Sequence, residues 1–159
     1  MTAAPQQMPH TVERRHAGAA DNRLVRQMLA DTRDDLLLMP SDVRDTVVEM
    51  QVHAERRLIA AEYPHATHEI LMSDGADVGR LVVDVAGPEV RVIDLTICRD
   101  HRRHGLANAV LRDVLADAGR RPVTITVKAT NTAGRALLRR LGFAESSDSS
   151  GHVVLAHTG

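Results

Sequence analysis

The stretch from His68 to Ala118 constrains the fold most, because three apolar, β-branched runs broken by tight-turn signals give way there to a stripe of helical spacing. Glu69-Ile70-Leu71-Met72 leads into Ser73-Asp74-Gly75-Ala76, a hairpin signature, and then into the Val- and Leu-rich run Val78 to Val85. Gly87-Pro88 marks the next turn. Glu89 to Cys98 reads as a third consecutive strand, alternating at first and then mostly apolar, as a strand near the centre of a sheet does. Leu106, Val110, Leu111, Val114, Leu115 and Ala118 then share one helical face, which Gly119 closes.

The flanks extend this pattern. Thr11 to Ala17 reads as a short first strand, and Asp21 as the cap of a helix carrying Leu24, Val25, Met28 and Leu29. Pro40 stops that stretch. Ser41-Asp42 opens a second helix, with Val43, Val47, Met50, Ala54, Leu58 and Ala61 as its apolar stripe, up to Tyr63-Pro64. After Pro122, Val123 to Val127 is a strand, Asn131 starts a short helix burying Leu137, Leu138 and Leu141, and Gly142-Phe143 leads to a last strand near His152 to Ala156. The expected order is β-α-α-β-β-β-α-β-α-β, an α/β fold whose mixed sheet carries helices on both faces. Residues 1–10 read as a flexible N-terminal tail and 11–159 as one domain, with no repeat and no linker between them.

Composition narrows the function. Twenty basic residues against 21 acidic ones leave a formal charge of -1, which gives no global pull toward nucleic acid or anionic lipid. Tyr63 and Phe143 are the only aromatic residues of the phenylalanine, tyrosine and tryptophan set, so the stacking platforms of single-strand and sugar binders are missing. Cys98 stands alone, which excludes an internal disulfide and a cysteine metal cluster. No apolar run approaches the ~20 residues of a membrane span, and the first residues lack a secretory pattern, so a cytoplasmic protein without membrane contact is expected.

Chemistry concentrates in Ile97 to Ala109, a strand end, a turn crowded with Arg99, Arg102 and Arg103, then Gly105 and a helix. The first turn of a helix leaves backbone N–H groups without partners, and a glycine lets an anion approach them, so a pyrophosphate would fit. A plain helix start with solvated arginines fits the same residues. His65-x-x-His68 and His101-x-x-His104 lack a third ligand nearby, and no metal is expected. Cys98 has no base coupled to it in sequence and reads as a small buried hydrophobe.

Spacing adds a resemblance. Arg102-Arg103-His104-Gly105-Leu106-Ala107 matches Arg/Gln-x-x-Gly-x-Gly/Ala between a strand and a helix. Downstream, the strand Val123 to Ala129, Asn131 and then Leu137-Leu138-Arg139-Arg140-Leu141-Gly142-Phe143 looks like Asn-x-x-Ala-x-x-Leu-Tyr-x-x-x-Gly-Phe. In these two ordered blocks the sequence resembles the GNAT superfamily of acyl-CoA-dependent N-acyltransferases, most strongly over Arg91 to Phe143.

The resemblance implies a V-shaped opening between the strand ending near Cys98 and the one beginning near Val123, with acetyl-CoA in it as acyl donor. It places the pantetheine arm along Leu95, Thr96 and Ile97, and the pyrophosphate on the amides of Arg102, Arg103, His104, Gly105, Leu106 and Ala107. Asn131 falls beside the cofactor. The acceptor would be a primary amine on a small molecule or a peptide. The position of the family's frequent tyrosine acid holds Leu138, and a strand position that some members fill with glutamate holds Thr126. That leaves Asp94, a carboxylate inside an apolar strand, as base, or as a structural group bonded to Arg91, Arg80 or a backbone amide at a bulge. Tyr63 is a weaker candidate acid or acceptor-site wall, and packing at a helix end explains it equally. Exposed sheet edges are compatible with a homodimer. The rival function is a catalytically silent acyl-CoA-binding module that acts through protein interaction.

Overall fold

The computed structural model describes residues 10–159; the N-terminal tail, apart from His10, lies outside the described residues. Its elements are β1 (Glu13–His16), α1 (Asn22–Asp31), α2 (Ser41–Glu62), β2 (Thr67–Ser73), β3 (Ala76–Asp84), β4 (Val90–Ile97), α3 (Leu106–Ala118), β5 (Val123–Lys128), α4 (Thr132–Arg140), β6 (Ala144–Ser149) and β7 (His152–His157), with short 3-10 turns at Ala19–Asp21, Asp34–Leu38 and Arg99–His101. All strands join one seven-stranded sheet in the order β1-β2-β3-β4-β5-β7-β6. The β4–β5 pair is parallel and every other pair is antiparallel.

The expected hairpin from β2 to β3 forms because Asp74 (φ 52°) and Gly75 (φ 77°) both take left-handed backbone, the geometry whose twist matches the flanking strands. Alternation then sorts side chains between two cores. Leu71, Leu81 and Val92 face Leu106, Val110, Leu111 and Val114 of α3, with Leu138 and Phe143 closing that side. Ile70 faces the other way, against Val25, Met28, Leu36, Val48 and Val52 of the α1–α2 layer.

Four expectations change. The C-terminal segment holds two strands: β6 is an exposed, serine-rich edge, and β7 inserts between it and β5. Helix α2 buries Val48, Val52 and Ile59, whereas Val43, Met50 and Leu58 of the expected stripe are exposed, Met50 at 67%. Both sets recur at helical spacing, and the sheet selects the one flanked by Glu55, which has a cationic partner there. Asp21 holds the N-cap position of α1 as expected, but its side chain bonds the Gly18 N–H and Arg15 instead of the helix's own N–H groups, so it fixes the chain before α1. In α4 only Leu138 is buried; Leu137 and Leu141 are partly exposed.

Candidate active site

The parallel strands β4 and β5 share three register pairs, ending at Val92 opposite Ile125. Beyond that pair β4 runs on to Ile97 and β5 to Lys128 with no pairing between them, so the sheet splits. The split begins at a bulge. Val83 pairs with Val92 but Val82 pairs with Asp94, which leaves Ile93 as the extra residue of β4. Leu95, Thr96 and Ile97 therefore lie on a strand whose β3 side is bonded and whose β5 side is open.

At the mouth of the split the chain leaves β4 through the Arg99–His101 turn and enters α3. Arg103 (φ 64°) and Gly105 (φ 77°) adopt left-handed backbone on either side of His104, the kind of irregular turn in which main-chain N–H groups are freed from regular pairing. Among the described residues, the N–H groups of Arg103, His104, Gly105, Leu106, Ala107 and Asn108 meet no protein acceptor; the first bond of the helix is Ala109 N–H to Gly105 O, at 3.0 Å. Arg102 N–H instead bonds Arg99 O at 3.3 Å, which moves the donor set one residue later than the motif suggests. A side chain at Gly105 would project into open space, so the backbone here is accessible.

The turn's arginines divide their work. Arg102 Nε donates to Ile97 O (2.9 Å), folding the side chain onto the end of β4. Arg99 Nη2 donates to Asp31 O (2.7 Å) and to Asp34 (3.1 Å), tying the turn to the segment after α1. Arg103 makes no hydrogen bond or ion pair with the described residues and is exposed. His104 Nδ1 lies 3.2 Å from His101 O. A cavity of about 460 Å³ opens beside the turn, bordered by Gln27, Asp31, Asp77, Cys98 and Arg99. Burial, and then Asp31, push the Cys98 thiol up from its ordinary value.

Asp94, the first residue after the bulge, has a quarter-exposed side chain (26%) and does not stand alone. Arg80 Nε donates to its Oδ2 at 2.8 Å, and the Thr96 hydroxyl lies 3.1 Å from Oδ1 and 3.2 Å from Oδ2. Arg80 also reaches Glu55 Oε1 on α2 at 2.6 Å. Burial opposes the charge of Arg80, but Asp94 and Glu55 more than offset it and hold the guanidinium ionised. His68 shares the cross-strand row of Val82 and Asp94, and burial, with Arg80 and Arg56, pushes it below its ordinary value against the pull of Glu55 and Asp94. The Asp94–Arg80–Glu55 link is the part of this neighbourhood that spacing does not reveal, since it joins three elements, β4, β3 and α2.

The other expected residues sit apart. Tyr63 ends α2 and lies against Arg91, whose guanidinium carbon is 5.9 Å from the ring centre, at the closed end of the split. It borders a smaller concavity of about 240 Å³ with Asp84, Pro88 and Glu89. Asn131 caps α4 through its Oδ1, which accepts from Gly134 N–H at 3.0 Å. Leu138 is 2% exposed in the α3-side core, and Thr126 is exposed on β5 opposite Val154. Among the described residues no group of three or more His, Cys, Asp or Glu side chains is placed to hold a metal ion. No described helix is long and apolar enough to cross a membrane.

A parallel pair that splits at a bulge, followed by an amide-rich turn into a helix, is the arrangement that the two sequence blocks anticipate. The model of the Acetyltransferase (GNAT) family matches residues 40–143, well over half of the chain. This chain belongs to the GNAT acetyltransferase family. The fold agrees. The PaiA N-acetyltransferase of Thermoplasma acidophilum, solved in complex with coenzyme A, superposes with a TM-score of 0.69 at 9% identity, over 94% of this chain and 99% of that one. An acetyltransferase from Thermus thermophilus gives 0.68 at 21% identity, over 93% and 98%. A GNAT family acetyltransferase from Elizabethkingia anophelis with acetyl-CoA bound gives 0.61 at 13%, over 94% and 98%. No curated protein sequence matches this GNAT chain.

Proposed function

We propose that this GNAT protein transfers an acetyl group from acetyl-CoA to a primary amine by direct attack. The observation that carries the reading is the alignment of the β4–β5 split with six consecutive unpartnered N–H groups, Arg103 to Asn108, at its mouth. A diphosphate fits there: the donors are main-chain groups, the N-terminal end of α3 favours negative charge, and no side chain at Gly105 obstructs the approach. The unpaired edge over Leu95, Thr96 and Ile97 would bond the amides of the pantetheine arm as an added strand does. Asn131 spends its oxygen on the cap of α4, and its NH₂ group is left to donate to the donor molecule.

Acetyl-CoA supplies an activated thioester. An alkyl ammonium with a pKa near ~10 must first lose a proton, which Asp94 takes directly or through water. The amine nitrogen then forms a bond to the acetyl carbon, the carbon–sulfur bond breaks, and the thiolate is reprotonated. Leu138 offers no acid at the family's tyrosine position, so water delivers that proton. Holding the two reactants together in the split contributes the rest of the acceleration. The acceptor enters from the side of α1 and α2, where Leu37 and Leu38 are exposed.

The burial of Leu138 and the ion pair on Asp94 favour one second reading, a silent acyl-CoA-binding module. Release of CoA from acetyl-CoA over a panel of primary amines separates the two. Transfer to at least one amine, reduced about tenfold or more in Asp94→Asn, supports the enzyme with its base. Acetyl-CoA binding without transfer to any amine supports the silent module.

A further inference from the structure

The register of the sheet brings Arg80 and Asp94 together. Arg80 pairs with Thr96 and Val82 with Asp94, so the pleat places Arg80, Asp94 and Thr96 on the face that α2 covers. Arg80 is 9% exposed, and its guanidinium divides between Asp94 on β4 and Glu55 on α2. Burying such a group is costly, and hydrophobic packing would hold the helix without it, as Val48, Val52 and Ile59 already do. Apolar contacts have little directionality. A planar guanidinium forked between two carboxylates fixes both their separation and their orientation.

We infer that Arg80 is a positioning residue: it registers the acceptor-side helix α2 against the donor strand β4 and holds the Asp94 carboxylate at the bulge where the sheet splits. The inference rests on the acetyl-transfer reading with Asp94 as base. Arg80 from β3 bonds Asp94 directly and Glu55 of α2 through its other end, while His68 on β2 feels the charges of Arg80, Arg56, Glu55 and Asp94 together, so these groups share one neighbourhood. Thr96 completes the shell with its hydroxyl. Arg56 is occupied with Asn22 of α1, so Arg80 is the cation bonded to Asp94. Removing it leaves Glu55 and Asp94 as neighbouring carboxylates without the charge between them, and like charges disfavour the ionised form a base needs.

The test compares wild type with Arg80→Met, Arg80→Lys, Glu55→Gln and Asp94→Asn. CoA release from acetyl-CoA is followed from about pH 5.5 to about 9.5 with tyramine, spermidine and an alanine-initiated peptide as acceptors, and with water where none reacts. Arg80→Met is expected to keep its acetyl-CoA thermal shift, to lose about tenfold or more in kcat, and to move the acid limb to higher pH; Arg80→Lys restores the limb more than the rate. Glu55→Gln cuts the link from its more exposed end, so if Arg80→Met does not fold, a several-fold fall in kcat there still supports the inference. A wild-type rate and acid limb in Arg80→Met or Glu55→Gln, alongside an impaired Asp94→Asn, would overturn the positioning role while leaving the base in place. A wild-type profile in Asp94→Asn would remove the base, and this inference with it.

Discussion

Val92 and Ile125 are the last residues that β4 and β5 face across the sheet, and the next residue, Ile93, is the bulge. One extra residue in β4 thus coincides with the loss of its parallel neighbour. A bulge increases local twist and redirects the strand, which is a physical reason for the two strands to diverge there. The split places open backbone edge on one side and the Asp94–Arg80–Glu55 bridge close by.

Gly79 sets how closely β3 supports that edge. A Cβ there would lie 2.4 Å from Thr96 O and 3.2 Å from the Ile97 Cα, so the strands must part to accept one. Gly79→Ala is expected to destabilise the protein by about 1–3 kcal/mol in a denaturant titration and to diminish its acetyl-CoA thermal shift. An unchanged midpoint and shift would show that the β3–β4 contact yields without consequence.

Leu138, which by its spacing to Gly142-Phe143 stands where the resemblance expects a tyrosine, is packed with the α3-side core. Leu138→Ala leaves a cavity, with an expected loss of about 2–5 kcal/mol measured by denaturant unfolding. CoA release by the folded fraction should stay within about twofold of wild type, since no acid is removed. A specific fall in turnover at normal stability would give this position a role in catalysis.

Asp21 predicts an acid-linked change. Arg15 and then the Gly18 N–H hold its carboxyl down to about 2, so its stabilisation is present above the usual value near ~4 and disappears as pH falls through about 2. Asp21→Asn should lower Tm at neutral pH, and the gap from wild type should close between about pH 4 and pH 2. A gap that does not depend on pH would assign the loss to packing.

The sheet from β2 to β4 was legible because β-branched runs and the Asp74-Gly75 turn carry local signals. Strand β6 carried none: Ala144 to Ser149 is exposed throughout, and it is a strand because β7 pairs with it. On α2 two apolar sets share the helical period, and only the sheet decides between them. The same division runs through the site. The turn before α3 and its free amides were readable because glycine and turn chemistry act on local backbone, except that the Arg102 amide is already bonded. Arg80 was one of several partners open to Asp94, and choosing it, and joining it to Glu55, takes the strand register and the packing of α2.

In the proposed site the amides from Arg103 to Asn108 hold the diphosphate of acetyl-CoA, and a thermal-shift titration on wild type and Gly105→Asp decides whether they do. The substitution adds a carboxylate where a Cβ meets no neighbour and a left-handed backbone must be retained, so some loss of Tm in the unliganded variant is expected as well. Acetyl-CoA should raise the Tm of wild type with concentration and leave that of folded Gly105→Asp unchanged. An equal rise in both proteins would contradict the cradle.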